Sequence, residues 1–181
     1  MKRKTFILAA LFVLAVARFG CAESQWILVR STLTYHISHP LHDADGVSHA
    51  ARGKGFCHAG GCNFLVAVLV NSFTSGNSNR DLHMLQVTGG ARFPVVTVRF
   101  QLPGAALGSA TLRANLQIQF AGQTAEYNQV LFHETKKGNM IQVSGTIPLK
   151  LSDFKIKRPE LLAMPISNDV PVHVDTVWRE S

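Results

Sequence analysis

Between residues 32 and 178 the sequence alternates apolar and polar residues with a period of two, and that pattern constrains the fold more than any other feature. Successive side chains of a strand point to opposite faces, so the period marks strands with one buried face. Segment 110–120, ATLRANLQIQF, groups Leu112, Leu116, Ile118 and Phe120 on one face. It places Thr111, Arg113, Asn115, Gln117 and Gln119 on the other. Segment 95–102 groups Val96, Val98, Phe100 and Leu102, and segment 140–149 groups Ile141, Val143, Ile147 and Leu149. Segment 169–178 groups Val170, Val172, Val174 and Trp178. Near the start, Leu33, Tyr35 and Ile37 face away from Thr32, Thr34 and His36. Segment 63–70, NFLVAVLV, is apolar on both parities, which predicts a strand covered on both sides. Turn residues separate the runs at 59–61, 121–124 and 136–139. Many strands at short spacing predict an all-β antiparallel sandwich or barrel. Two stretches depart from the period. Residues 76–86 open with Asn and Ser cap candidates and suit a short helix, and residues 150–162 hold a helical turn at Ser152.

The first 22 residues belong to a different class. Lys2, Arg3 and Lys4 precede an apolar run from Thr5 to Ala17, too short to span a bilayer comfortably. This is the pattern of a secretory signal peptide, with cleavage expected after Ala22. A rival reading makes Cys21 a lipidated N-terminus; Gly20 suits it and Arg18 does not. The expected mature domain is therefore 23–181. The leader carries four of the 18 basic residues and none of the 11 acidic ones, so the formal charge falls from +7 to +3. The remaining charge gives little support to a nucleic-acid partner.

Residues 35–62 hold five of the eight histidines and two of the three cysteines. In one extended strand His36 and His42 lie about 20 Å apart and His39 points the other way, so a shared metal requires Pro40 to fold the chain back. CHAGGC has four residues between its cysteines, unlike zinc or thioredoxin spacing, and its order does not suit covalent haem attachment. A disulfide is the better account. Cys57 and Cys62 flank HAGG between two strand-like runs, where facing residues lie about 4.5–5.5 Å apart. A disulfide needs about 4.4–6.8 Å, and an exported chain meets an oxidising compartment. No HExxH, GxSxG or complete phosphate loop is present, so neither a catalytic set, a metal site nor a cofactor is expected.

Four further segments carry a family resemblance: VNSFTSGNSNRDLHM (70–84), RFPVVTVRF (92–100), LKLSDFKIKRPELL (149–162) and VPVHVDTV (170–177). With LTYHISH ending at His39 and the GKGFC segment, they resemble the YceI-like family over roughly 26–178. The resemblance implies a lipocalin-like antiparallel barrel of about eight strands with one or two short helices. It also implies an elongated cavity for a long-chain isoprenoid or other amphiphilic lipid, a periplasmic location and, often, a homodimer. It carries over no catalytic residue. By position, Arg80, Asp81 and His83 match the family's RD-x-H corner and Asp153 its L-x-D-F aspartate. The segment 120–130 matches only loosely.

The apolar faces and this resemblance together nominate Val66, Val68, Val98, Phe100, Leu112, Leu116, Ile118, Phe120, Ile141, Val143 and Val172 as cavity lining. Arg80 and His83 are candidates for an anionic or carbonyl head group. The alternative for Arg80 is a structural pairing with Asp81 or strand backbone. Two other functions compete with a periplasmic lipid carrier. One is a redox, haem or metal-associated protein using the histidine stretch. The other is an outer-membrane barrel whose apolar faces meet lipid.

Overall fold

The structure is a computed structural model that describes residues 23–181, so the leader and Cys21 lie outside the described residues. Strands β1 (Ser24–Ile37), β2 (Ala44–Ser48), β3 (Arg52–His58) and β4 (Gly61–Leu69) come first. Helix α1 (Ser78–Val87) follows, then β5 (Val95–Pro103), β6 (Thr111–Phe120), β7 (Gln123–Lys137) and β8 (Met140–Lys150). A small hairpin, β9 (Glu160–Leu161) and β10 (Met164–Pro165), precedes the last strand, β11 (Asp169–Glu180).

The sheet runs β11-β8-β7-β6-β5-β4-β3-β1, and β11 pairs with β1 to close it into an antiparallel barrel of eight strands. Closure removes the unpaired edges that would otherwise invite association. The closing ladder extends from Trp26↔Glu180 to Tyr35↔Val172, with a bulge between Leu28 and Arg30. On its other side β1 pairs first with β3, from Ser24↔Cys57, and later with β2, from Leu33↔Ser48. The two pairings share one register, so β2 and β3 form a single partner strand interrupted at residues 49–51.

Alternation sets the inner and outer faces. Along β6, Leu112, Ala114, Leu116 and Ile118 are buried while Thr111, Arg113, Asn115, Gln117 and Gln119 face solvent. The apolar faces therefore point into the lumen and the polar faces outward, the reverse of a lipid-facing outer-membrane barrel. Segment 63–70 corrects its expectation: Phe64 and Val68 point inward, but Leu65 and Leu69 on the outer face are 43% and 47% exposed. No described element covers them. The chain also turns at Pro40–Leu41, so no single strand runs through His36–His42; His36 instead bonds Asp45 across the β1–β2 pair at 2.7 Å.

Local chemistry places the remaining elements. The Asn77 side chain caps α1 by accepting from the Asn79 and Arg80 amides, both at 3.1 Å. Leu151–Phe154 form the expected turn after β8, a single 3₁₀ turn. Its Phe154, 1% exposed, packs against the rings of Phe120 and Tyr127.

Cys57 and Cys62 are disulfide-bonded. The hairpin is tighter than expected: His58 pairs with Gly61, which leaves a two-residue turn of Ala59 and Gly60, both at positive φ. The bonded Cα atoms are 4.0 Å apart, drawn in below ordinary strand spacing.

Close approach decides two glycines. A Cβ on Gly46 would lie 2.2 Å from the Tyr35 ring, and one on Gly55 would lie 2.2 Å from the Phe64 ring. Both glycines pair directly with those aromatics, so each ring can lie across the bare strand opposite. Phe64 then stacks on Phe100 at 5.0 Å and meets Trp178 edge-on.

Gly55→Ala should lower unfolding free energy by about 1–3 kcal/mol in urea titrations, because Phe64 must leave this stack. Gly61→Ala, where the nearest atom is 3.9 Å from the new Cβ, should have a far smaller effect; equal effects would contradict the packing argument. Replacing Cys57 and Cys62 together by Ala should lower stability by about 2 kcal/mol on the chain-entropy model. Thiol labelling of unfolded, non-reduced wild type should find neither cysteine free.

Candidate ligand cavity

The barrel encloses an elongated cavity of about 530 Å³, within the range of small-molecule sites. Val66, Val68, Val98, Phe100, Leu112, Leu116, Ile118, Phe120, Ile141, Val143 and Val172 all stand on its wall. Their parity explains this: Phe64↔Phe100, Val66↔Val98 and Val98↔Ile118 are direct cross-strand partners on the inner face. Val66, Val98, Phe100 and Val143 are only half-buried, because their inner surfaces border open lumen.

Helix α1, the 38–43 turn and the β9–β10 hairpin surround one end, the mouth. Arg80, His83 and Met84 from the helix, His39 and His42 from the turn, and Pro159 and Glu160 from the hairpin approach line it. His39, 7% exposed, fastens two of these elements: its Nε2 bonds the Met164 carbonyl at 3.0 Å and its Nδ1 accepts from the Leu41 amide at 3.1 Å. The remaining histidines of the stretch have separate positions. His42 stacks obliquely near His39 at 5.5 Å, His49 bonds the Ser31 carbonyl, and His58 meets Glu23. Among the described residues, no three His, Cys, Asp or Glu side chains converge as metal ligands.

The RD-x-H corner divides its labour. Asp81 accepts from Ser75 Oγ at 2.6 Å, the Ser75 amide at 2.9 Å and Thr74 Oγ1 at 3.1 Å. The Ser75 hydroxyl bond, followed by the Ser75 amide and Thr74 bonds, holds its carboxyl below the usual range despite partial burial. Asp81 thus ties α1 to the preceding segment. Arg80 does not pair with Asp81: among the described residues its guanidinium enters no ion pair, and it lines the cavity with His83. Asp153 accepts from the Tyr127 hydroxyl at 2.7 Å, and that hydroxyl in turn receives the Lys150 amide. Burial, with Asp153 beside it, pushes the Tyr127 hydroxyl up to about 12.

The opposite end is a closed floor. The β5–β6 connection folds over it, held where the Gly104 amide donates to the Gly60 carbonyl, and Leu107 reaches into the cavity. Trp26, Leu102, Ile141 and Trp178 complete the floor. One charged residue joins them. Glu134 of β7 lines the cavity and is 6% exposed. Its Oε2 accepts from the Gly108 amide at 2.8 Å, whereas its Oε1 has no partner among the described residues. Burial raises its carboxyl above the usual range, opposed by the Gly108 bond and Lys136. Sequence reading missed Glu134, although the clue was present: it shares the parity of Val130 and Phe132.

A closed antiparallel barrel around one apolar lumen defines the class, a lipocalin-like barrel. The family follows: the YceI-like domain model matches residues 29–178, and the chain belongs to that family. No curated protein matches the chain. Among solved structures, a polyisoprenoid binding domain from Saccharophagus degradans, implicated in plant cell wall breakdown, superposes with TM-score 0.72 at 16% identity, covering 86% of this chain and 98% of that chain. BcnA from Burkholderia cenocepacia gives TM-score 0.68 at 14% identity, covering 81% and 95%. The YCEI protein of Campylobacter jejuni gives 0.52 at 13%, covering 98% and 97%. At these identities the likeness concerns the fold.

Glu134 and Asp81 should oppose each other in pH dependence. Folding raises the Glu134 pKa, so the folded state holds the proton more tightly than the unfolded chain. Its contribution therefore becomes less favourable as pH rises from the ordinary glutamate value through the raised one. Asp81, with a lowered pKa, stabilises above the ordinary aspartate value and loses that contribution as pH falls through the folded value. In urea titrations across pH, the stability of Glu134→Gln relative to wild type should climb through the Glu134 window. A flat difference would refute the assignment.

Proposed function

We propose that the protein is an exported carrier that sequesters or transports an isoprenoid-like or other long-chain lipid in the barrel cavity, with no chemistry of its own. The observation that carries this reading is the continuous apolar lining from mouth to floor. Leu112 and Phe120, at the two ends of the β6 wall, are separated by about 26 Å of extended strand. A slender chain suits such a lumen better than a compact ligand. Burying it is worth roughly 25 cal/mol per Å² of apolar surface. Membership of the YceI-like family, and the polyisoprenoid-binding description of a structural neighbour, support the same class of cargo.

The leader-like residues 1–22 support export to the periplasm, with lipidation of Cys21 as an anchored form. Family resemblance supports a homodimer. At the mouth, Arg80 and His83 are suited to an anionic head group, since a guanidinium binds such oxygens in charge-assisted pairs. The eleven wall residues are assigned to the chain of the ligand.

Native mass spectrometry of gently purified protein should show a bound lipid mass that organic extraction removes. Val98→Asp puts a carboxylate in the middle of the wall and should abolish that mass while circular dichroism still reports a folded barrel. Wild type without any bound mass, and without uptake of added prenyl lipids, would overturn the carrier reading.

A further inference from the structure

Glu134 stands alone as a charged side chain at the floor, where an apolar residue would fill the lumen more simply. Its neighbours along the inner ladder are Val143 and, one strand further, Thr176. Thr176 is already engaged: its Oγ1 donates to the Val143 carbonyl and accepts from Trp178 Nε1. Lys136, exposed at the barrel end and lying across Gly108, is the charged neighbour of the carboxyl. The carboxyl is therefore held by one amide, and its second oxygen is buried without a partner among the described residues; Trp26, another residue of the floor, has an Nε1 that also lacks one. Two buried polar groups lacking partners on one apolar floor are unusual, since such groups cost about 1–3 kcal/mol each when unpaired.

We infer that Glu134 is a deep polar anchor, and that the cavity takes prenyl-type lipids ending in a neutral hydroxyl, seated head-first against this carboxyl. The inference rests on the lipid-carrier reading of the cavity and adds the ligand's polar end and its direction. A hydroxyl both donates and accepts, so it matches the carboxyl in either protonation state. An anionic end would meet like charge at the floor and belongs at the mouth beside Arg80. A cationic end would leave water for a single carboxylate in apolar surroundings, where desolvation offsets much of the attraction.

Three probes test this on wild type, Glu134→Leu, Glu134→Met and Arg80→Ala: geranylgeraniol, the same chain with hydrogen in place of the hydroxyl, and geranylgeranyl monophosphate. Wild type should bind the alcohol several-fold to about tenfold more tightly than the hydrocarbon, the worth of one buried hydrogen bond. Both Glu134 variants should lose that preference while still binding the hydrocarbon, and Arg80→Ala should keep it and weaken only the phosphate. Where a Glu134 variant does not fold, the carboxyl carbon resonance of Glu134 in wild type decides, since it should shift with the alcohol and not with the hydrocarbon. Equal affinity of alcohol and hydrocarbon in wild type, or an unmoved resonance, overturns the anchor and leaves the carrier reading standing. Failure of all three probes to bind overturns the carrier reading and the anchor with it.

Discussion

The cavity exists because large rings lie along the barrel wall instead of crossing the lumen. Gly55 supplies the room: a Cβ there would sit 2.2 Å from the Phe64 ring. With that strand bare, Phe64 settles parallel to Phe100 and against the edge of Trp178. Gly46 gives Tyr35 the same room on the other part of β1's partner strand. Cores normally fill at crystal-like density, and a barrel of eight strands can be filled by side chains or hold one slender ligand. Here the strand glycines favour the second outcome.

Closure fixes the rest. The β1–β11 ladder joins the first and last strands, so the floor and the mouth are set by the same register. Loop chemistry then makes the two ends unlike. The floor is sealed by a short connection whose Gly108 amide holds Glu134. The mouth is assembled from α1, the 38–43 turn and the β9–β10 hairpin; His39 joins the turn to the hairpin, and Asp81 fastens α1 to residues 74–75. A cavity with a polar point at one end and the Arg80 guanidinium at the other can distinguish the two ends of a ligand, which an evenly apolar tube cannot.

Much of this was legible in the residues. Alternation located β5, β6, β8 and β11 and their inner faces, and Asn77 announced the start of α1. The facing cysteines announced their hairpin, although the turn proved two residues long. Two parts of the alternation were hidden by bulges. In β1 the inward residues are Trp26 and Leu28, then Ser31, Leu33 and Tyr35, because the bulge between Leu28 and Arg30 changes the phase. In β7 the break beside Asn115 separates Tyr127 from Val130, Phe132 and Glu134. A strict period-two reading loses one half of each such strand: Trp26 fell in the lost half of β1, and the alternation of β7 that carries Glu134 went unread.

The sequence by itself determined several of the strands and their two faces, the disulfide pair and the kinship to the YceI-like family. Those depend on contacts between near neighbours in the chain or on motifs in fixed order. Only the tertiary structure decided that the apolar faces turn into a lumen, that the outer face of β4 is open, and that Arg80 is separate from Asp81. It alone brought Glu134 of β7 and Trp26 of β1 into one cavity. Periodicity distinguishes one face of a strand from the other but carries no information about which face closure encloses. That is set when β1 meets β11, residues more than a hundred positions apart.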